Sequence, residues 1–360
     1  MGKIYTSMGL MSGTSLDGID VSIIKSDGNK EYSTELDRYF EYDKELVQKL
    51  LEIRDKISNS EDLRRYFAEI KDLEREVTLF HFKAVNETIK KFGSNIDLIG
   101  FHGQTIFHDS KKKISKQIGD GKLLSQLTKK RVVYDFRQND LKNGGNGAPL
   151  TPIFHKILKK KIEGAVSFLN IGGITNETVI NENDNLFAQD IGPGNCMIDQ
   201  WIKLNSNMTF DNNGDIARSG KINKIILDQS LDIYFNNKIS ENRSFDIKDF
   251  DISFTKGLSI EDGAATLTEY TSEILSQKIL GQIIYACGGG RKNKFLIERI
   301  EKKINNKIKL IDELEIEGDF VESQAFAYLA IRSFLKLPIS FPSTTGCKSP
   351  STGGIVSKNY

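Results

Sequence analysis

The sequence predicts an α/β protein of two domains, and three observations lead there. Short apolar strands alternate with helical stretches, the order that builds sheets flanked by helices. Most of these strands end in a polar, glycine-containing loop, the place where ligands bind in such sheets. Residues 9–24 also resemble residues 168–180 in form, each a strand, a glycine turn with a threonine and a second strand. Two such hairpins imply two similar halves facing each other across a cleft, and 360 residues are enough for two cores.

The elements follow in order. Residues 4–11 read as a strand, 12–18 as a polar glycine turn and 19–25 as a second strand. Two helices are expected next. The second is expected to start at Ser58, with Glu61 completing a capping box, and to stop near Gly93. Leu63, Phe67, Ile70, Val77 and Ala84 share one face of it and are predicted core. Strands at 97–101, 131–134, 165–169, 186–189 and 282–287 then run into polar loops, and helices are expected from about Cys196 and Asn293. The glycine-rich stretch 143–149 sets the expected domain boundary near residue 140, giving one domain of 1–140 with a return at about 340–360, and a second of 141–339.

Composition narrows the function classes. Lysine plus arginine number 50 and aspartate plus glutamate 49, a net charge of +1, so the basic excess of a nucleic-acid binder is lacking. Three well-spaced cysteines, Cys196, Cys287 and Cys347, form no CxxC pair and read as reduced thiols, and the four histidines show no metal-site spacing. No apolar run approaches the ~20 residues of a spanning helix, and residues 1–5 lack a signal peptide's apolar core. A cytoplasmic protein without nucleic-acid or membrane partners is expected.

Three turns carry candidate chemistry. In the first, residues 13–18, small residues let backbone N–H groups approach phosphate oxygens, hydroxyls add donors, and Asp17 could hold Mg²⁺. It is no Walker A loop, because the GK[ST] ending is missing. In the second, Asp190 ends a strand before Gly-Pro-Gly-Asn and a helix start, a place for a general base beside an anion-binding helix N-terminus. In the third, Gly288, Gly289 and Gly290 have no Cβ to obstruct an adenine ring or a phosphate. Asp135 and Arg137 stand at a strand end as polar walls of a cleft. Glu322 opens a helix with a buried face, where a carboxylate either complements the dipole or meets a ligand.

Together these segments resemble the anhydro-N-acetylmuramic acid kinases, a family of the actin, hexokinase and heat-shock-70 superfamily. The matching stretches are GLMSGTSLDGID at 9–20, GFHGQT at 100–105, DFR at 135–137, GGNGAPL at 144–150, LNIGGI at 169–174, DIGPGN at 190–195, CGGG at 287–290 and TG at 345–346. They keep the family's order nearly end to end. The resemblance implies two actin-like (ribonuclease H-like) domains with mixed sheets flanked by helices, with ATP and Mg²⁺ in the interdomain cleft. It implies opening of the 1,6-anhydro ring of anhydro-N-acetylmuramic acid and phosphorylation of O6, in peptidoglycan recycling, by a homodimer. Asp190 matches the family's catalytic base. Gly13, Thr14, Ser15, Leu16, Asp17, Gly18, Ile19 and Asp20 match its phosphate-binding stretch, with Asp17 the metal candidate. Gly288, Gly289 and Gly290 match its adenosine-side loop, and Gly172 and Gly173 are further nucleotide candidates. Candidate substrate contacts are His102, Gln104, Asp135, Arg137 and Asn195, together with Glu322. One stretch departs from the pattern: NRSFDIKDF at 242–250 stands where the family carries a Lys-Ser-Thr-Gly-Arg-type run. Two alternatives stay open, a related kinase acting on a free hexose or amino sugar, and a nucleotide-dependent sensor or assembly protein.

Overall fold

The computed structural model describes residues 2–13, 15–236, 244–358 and 360. Thr14 of the first turn, and Asn242 and Arg243 of the departing stretch, lie outside the described residues. The chain forms two compact units, one of residues 1–160 and 320–360 and the other of residues 161–319.

The first unit begins with the hairpin of β1 (Tyr5–Ser12) and β2 (Gly18–Ser26), continued by β3 (Tyr32–Glu41). After the helices α1 (Lys44–Lys56), α2 (Asp62–Arg65) and α3 (Phe67–Phe92) come β4 (Leu98–Asp109), β5 (Ile114–Ile118), α4 (Gly121–Thr128) and β6 (Arg131–Tyr134). α5 (Gln138–Lys142) and α6 (Pro152–Leu158) follow, and α12 (Val321–Phe334), α13 (Pro342–Thr345) and β12 (Ile355–Ser357) close the unit. The sheet order is β12-β6-β4-β1-β2-β3, with β5 paired to β4. β4 lies parallel to β1 and β6, while β2, β3, β5 and β12 pair antiparallel, so the sheet is mixed.

α1 and α3 cover one face through Leu46, Leu50, Ile70, Leu73, Val77 and Ala84, which join Leu10, Val21 and Ile99 in one core. α12 covers β1, β2 and β4 closely because two glycines make room for its backbone. Gly9 and Gly100 are register partners. A Cβ on Gly9 would meet the Ser323 carbonyl at 1.9 Å, and one on Gly100 the Phe326 carbonyl at 2.2 Å. α12 is buried on nearly every side, and α6 packs against it with the Phe154 ring tilted at 53° to that of Tyr328, centroids 5.8 Å apart. The chain therefore crosses between units at 160/161 and 319/320, whereas the sequence reading set the crossings near 140 and 340.

The second unit holds β7 (Val166–Ile171), β8 (Ile174–Ile180), β9 (Leu186–Pro193), β10 (Ile284–Cys287) and β11 (Ile308–Leu310), in the order β11-β10-β7-β8-β9. β10 is parallel to β7 and β11, and β8 is antiparallel to β7 and β9. Its helices are α7 (Cys196–Asn205), α8 (Asp215–Ser219), α9 (Lys224–Asn236), α10 (Ile260–Lys278) and α11 (Lys294–Ile304). Both units are thus mixed sheets flanked by helices, as the sequence predicts.

Three local expectations are corrected. The helix expected from Ser58 is broken into α2 and α3. The cap there is Asn59, whose Oδ1 accepts from the N–H groups of Glu61 and Asp62, and no Ser58–Glu61 box forms. Phe67, the first residue of α3, is 60% exposed, and the buried face of the helix begins only at Ile70. The 102–105 stretch is not a loop but the middle of β4, held by pairing with β5. The stop at Gly93 is as expected, with the glycine in the left-handed region (φ 70°) and its N–H donating to the Ile89 carbonyl.

Candidate functional site

In the first unit the β1–β2 turn is braced from below. The single Ser12 Oγ–H is shared between the Gly18 carbonyl at 2.9 Å and Gln104 Oε1 at 2.5 Å, while Gln104 Nε2 donates to the Gly13 carbonyl at 2.9 Å. Tyr42 adds a hydroxyl to Ser12. Gln104 is fully buried, with both ends of its amide engaged, so it shapes the phosphate-type turn from beneath. Within the turn Leu16 has a φ of 61° and is buried, which pins the loop, while Ser15 and Asp17 are exposed and joined by a 2.6 Å hydrogen bond from Ser15 Oγ to Asp17 Oδ1. Gly18 and Ile19 are buried at the start of β2, and Asp20 is half-buried on the same strand.

His102 and Arg137 meet on the same sheet. His102 Nδ1 donates to the Gly103 carbonyl at 2.8 Å, which leaves Nε2 to accept from Arg137 at 3.0 Å. Burial first, and the Arg137 charge second, hold the imidazole well below its ordinary pKa, so it is neutral. Its ring lies 4.5 Å from that of Phe326 on α12, whose first turn carries the half-buried Glu322. Asp135 follows β6 with a left-handed φ of 60°, and burial raises its carboxyl above the usual range. A cavity of about 420 Å³ opens beside His102 and Asp135, walled also by Tyr134, Lys116 and Gln138. The glycine loop before Pro149 wraps the buried Asp140: Gly147 N–H donates to Oδ2 and Thr345 Oγ1 to Oδ1.

In the second unit three predicted turns share one end of the sheet. The Gly194, Asn195 and Cys196 N–H groups donate to the carbonyls of Gly173, Gly172 and Gly173 respectively, so the DIGPGN turn is laced onto the β7–β8 turn. Gly194 allows this approach, since a Cβ would stand 2.2 Å from the Gly172 carbonyl. Gly288 and Gly290 pack on the end of β7, where a Cβ would strike Asn170 Oδ1 at 2.3 Å and Ile171 Cγ2 at 2.2 Å. Gly289 is exposed, and a Cβ there would meet nothing within 4 Å. Asp190 sits half-buried within β9, opposite Asn176 on β8, because the strand runs on to Pro193 through pairing with β8 instead of ending at 189 as the sequence reading has it. Its Oδ2 accepts from the Phe245 N–H at 2.9 Å. Asn195 starts α7 without capping it, and its buried Oδ1 has no hydrogen-bond partner among the described residues.

Sequence reasoning missed Phe245, Ser12 and Tyr42. The Phe245 contact is made by a backbone N–H, which no side-chain pattern announces. Among the described residues no group of three or more His, Cys, Asp or Glu could hold a metal, and no helix is long and apolar enough to cross a membrane.

The family model described as anhydro-N-acetylmuramic acid kinase matches residues 5–359. An anhydro-N-acetylmuramic acid kinase of Pelagibacter ubique is 52% identical, with 100% of each chain covered. Another of Rhizobium johnstonii is 38% identical over 99% of each. Among solved structures, a ROK family glucokinase from Streptomyces griseus is 11% identical, covering 90% of this chain and 99% of its own, at a TM-score of 0.40. By its end-to-end match this chain belongs to the anhydro-N-acetylmuramic acid kinase family.

Proposed function

We propose that this chain is an ATP-dependent kinase that opens the 1,6-anhydro ring of anhydro-N-acetylmuramic acid and phosphorylates O6, giving N-acetylmuramic acid 6-phosphate for peptidoglycan recycling. The observation that carries the reading is the family match from residue 5 to residue 359. The proposal includes a cytoplasmic homodimer whose partner is a small anhydro amino sugar, with no nucleic-acid or membrane partner.

The substrate dictates the chemistry. An anhydro sugar has no free 6-hydroxyl, so a water must attack C1. Asp190 takes that water's proton as the water oxygen bonds to C1 and the C1–O6 bond breaks. The electron pair left on O6 attacks the γ-phosphorus, and ADP leaves. General-base help of this kind is worth roughly 10²- to 10⁴-fold. The Phe245 N–H on Oδ2 fixes the carboxylate's orientation for it. Gly172, Gly173 and Gly288 to Gly290 are assigned to the nucleotide, as are residues 13–20. His102, Arg137, Asp135, Asn195 and Glu322 are assigned to the sugar. Gln104 is assigned to the sugar site only through the turn it supports, because both ends of its amide are taken.

The exposed Asp17 carboxylate beside a hydroxyl is a donor set that suits Mg²⁺, which takes one or two carboxylates, phosphate oxygens and waters. Mg²⁺ bound there supplies charge neutralisation at the transferring phosphoryl group. Turnover in ¹⁸O-water tests the proposal. Label at C1 of the product is expected, and an unlabelled phosphosugar would overturn it in favour of transfer to a free hydroxyl.

A further inference from the structure

The residue after the three glycines is an arginine, and its guanidinium is spent inside the protein. Arg291 is only 6% exposed. Its Nε and Nη2 donate to the two oxygens of Asp312 at 2.9 and 3.0 Å, and Nη1 donates both to Asp319 Oδ1 at 2.5 Å and to the Gly288 carbonyl at 3.2 Å. These bonds use four of the five N–H donors of a guanidinium. An arginine beside a glycine turn invites reading as a phosphate contact, but little donor capacity is left for one.

What the guanidinium holds is the loop. Gly288 adopts φ 77° and ψ 167°, a conformation almost confined to glycine, and such conformations persist where surrounding contacts over-determine them. Arg291 supplies that constraint at the Gly288 carbonyl, while the Gly288 N–H donates to the Gly318 carbonyl at 3.1 Å. Gly318 is bound into the same cluster. Its N–H donates to Asp312 Oδ1 at 3.3 Å, and a Cβ on it would stand 2.3 Å from Arg291 Nε. Lys292 grips the other oxygen of Asp319. The Gly288 N–H and carbonyl are thus both tied to the ionic cluster around the buried Arg291, and Gly289 is left exposed beside it.

We infer that Arg291 is a positioning residue for the nucleotide: through Asp312, Asp319 and Gly318 it fixes the 288–290 turn against which the adenosine part of the triphosphate packs. The inference rests on the assignment of that turn to the nucleotide. Arg291→Lys keeps the charge but loses the fork that spans Asp312, a substitution that is not conservative at a bidentate site. Titration of this variant with a nonhydrolysable ATP analogue should show a dissociation constant about tenfold higher, ~1.4 kcal/mol. The affinity for the anhydro sugar and the fraction of binding-competent protein should not change. Asp312→Asn, at a more exposed position, should move the nucleotide constant in the same direction by about two- to fivefold. A purely structural role would instead lower the melting temperature and the competent fraction at an unaltered nucleotide constant, and that result overturns the inference. Gly289→Val separates it from its premise, because a side chain there has room and strains nothing. If Gly289→Val leaves nucleotide affinity unchanged, the assignment of the turn fails and the inference falls with it. If Gly289→Val weakens the nucleotide while Arg291→Lys does not, only the role of Arg291 is lost.

Discussion

The backbone N–H of Phe245 donates to Oδ2 of Asp190 at 2.9 Å, joining the stretch that departs from the family's pattern to the candidate base. The donor is well anchored. The Phe245 ring is buried, lies 5.3 Å from that of Phe250, and has Lys278 Nζ 5.2 Å from its centroid. Within the departing stretch, the described residues thus reach Asp190 through a main-chain donor whose place is set by the buried Phe245 ring.

That relationship makes Asp190→Asn a clean test. The amide oxygen still accepts from Phe245, so orientation is kept while proton affinity is lost. Nucleotide binding should stay within about threefold of wild type, and turnover should fall by at least the roughly 100-fold that general-base catalysis supplies. Titration with a nonhydrolysable ATP analogue and a coupled ADP assay measure the two. Turnover above a hundredth of wild type would remove Asp190 from the role.

The seating of α12 is equally open to test. Gly100→Ala puts a methyl 2.2 Å from the Phe326 carbonyl, where helix backbone rather than a flexible side chain must yield. Overpacking of this kind costs about 1–3 kcal/mol. The helix carries Phe326 against His102 and Glu322 in its first turn. Gly100→Ala should therefore lower the melting temperature by several degrees and raise KM for the sugar, as thermal unfolding and steady-state kinetics would reveal. An unchanged KM would separate α12 from the sugar site.

Much of this architecture is legible in the residues, and the failures have identifiable causes. β1, β2 and β6 announce themselves through apolar runs bounded by glycine or aspartate. β3 goes unseen because its residues 32–41 are largely polar and none is fully buried, which leaves no period-2 signal. The extension of β4 through 102–105 depends on β5, a partner that only the folded sheet supplies. The unit boundary was hidden for a similar reason. Gly9 and Gly100 read as ordinary strand glycines until α12 is seen lying on both. The stretches after Asp190 and around Gly288 stood out because glycine was demanded there by close packing, and sequence displays glycine directly. Contacts made by backbone groups, such as that of Phe245, leave no such mark.

Buried histidines set the acid limit of stability. Burial holds His81 and His108 at about 4 and His155 at about 3, and His102 well below its ordinary value. A depressed folded-state pKa means the unfolded chain binds more protons below pH ~6.5, so stability falls as pH drops toward 4. Each such histidine removes up to about 1.4 kcal/mol per pH unit across that window. Urea midpoints should decrease steadily from pH 7 to pH 5, and His81→Phe should flatten the slope if the substitution is accommodated. An unchanged slope in His81→Phe would show that this imidazole does not distinguish the folded from the unfolded chain over that range.

Asp199 works in the opposite sense. It lies in the first turn of α7, four residues after Asn195, whose carbonyl accepts from its N–H, and burial pushes its carboxyl up to about 7. Lys203 lowers it and Asp211 raises it further, but loss of solvent dominates. A raised folded-state pKa means the native protein holds the extra proton, so what this group lends the fold is whole below the ordinary carboxyl value near 3.8 and is lost as pH rises from there to about 7. Asp199→Asn removes the charge while keeping the shape. At pH 8 the variant should be more stable than wild type by on the order of 1–2 kcal/mol, a value discounted because the side chain is partly exposed. At pH 5.5, midway through that window, the gain should be roughly half as large. Thermal melts at the two pH values decide it: equal shifts at both would mean that packing, rather than the buried charge, governs this turn of α7.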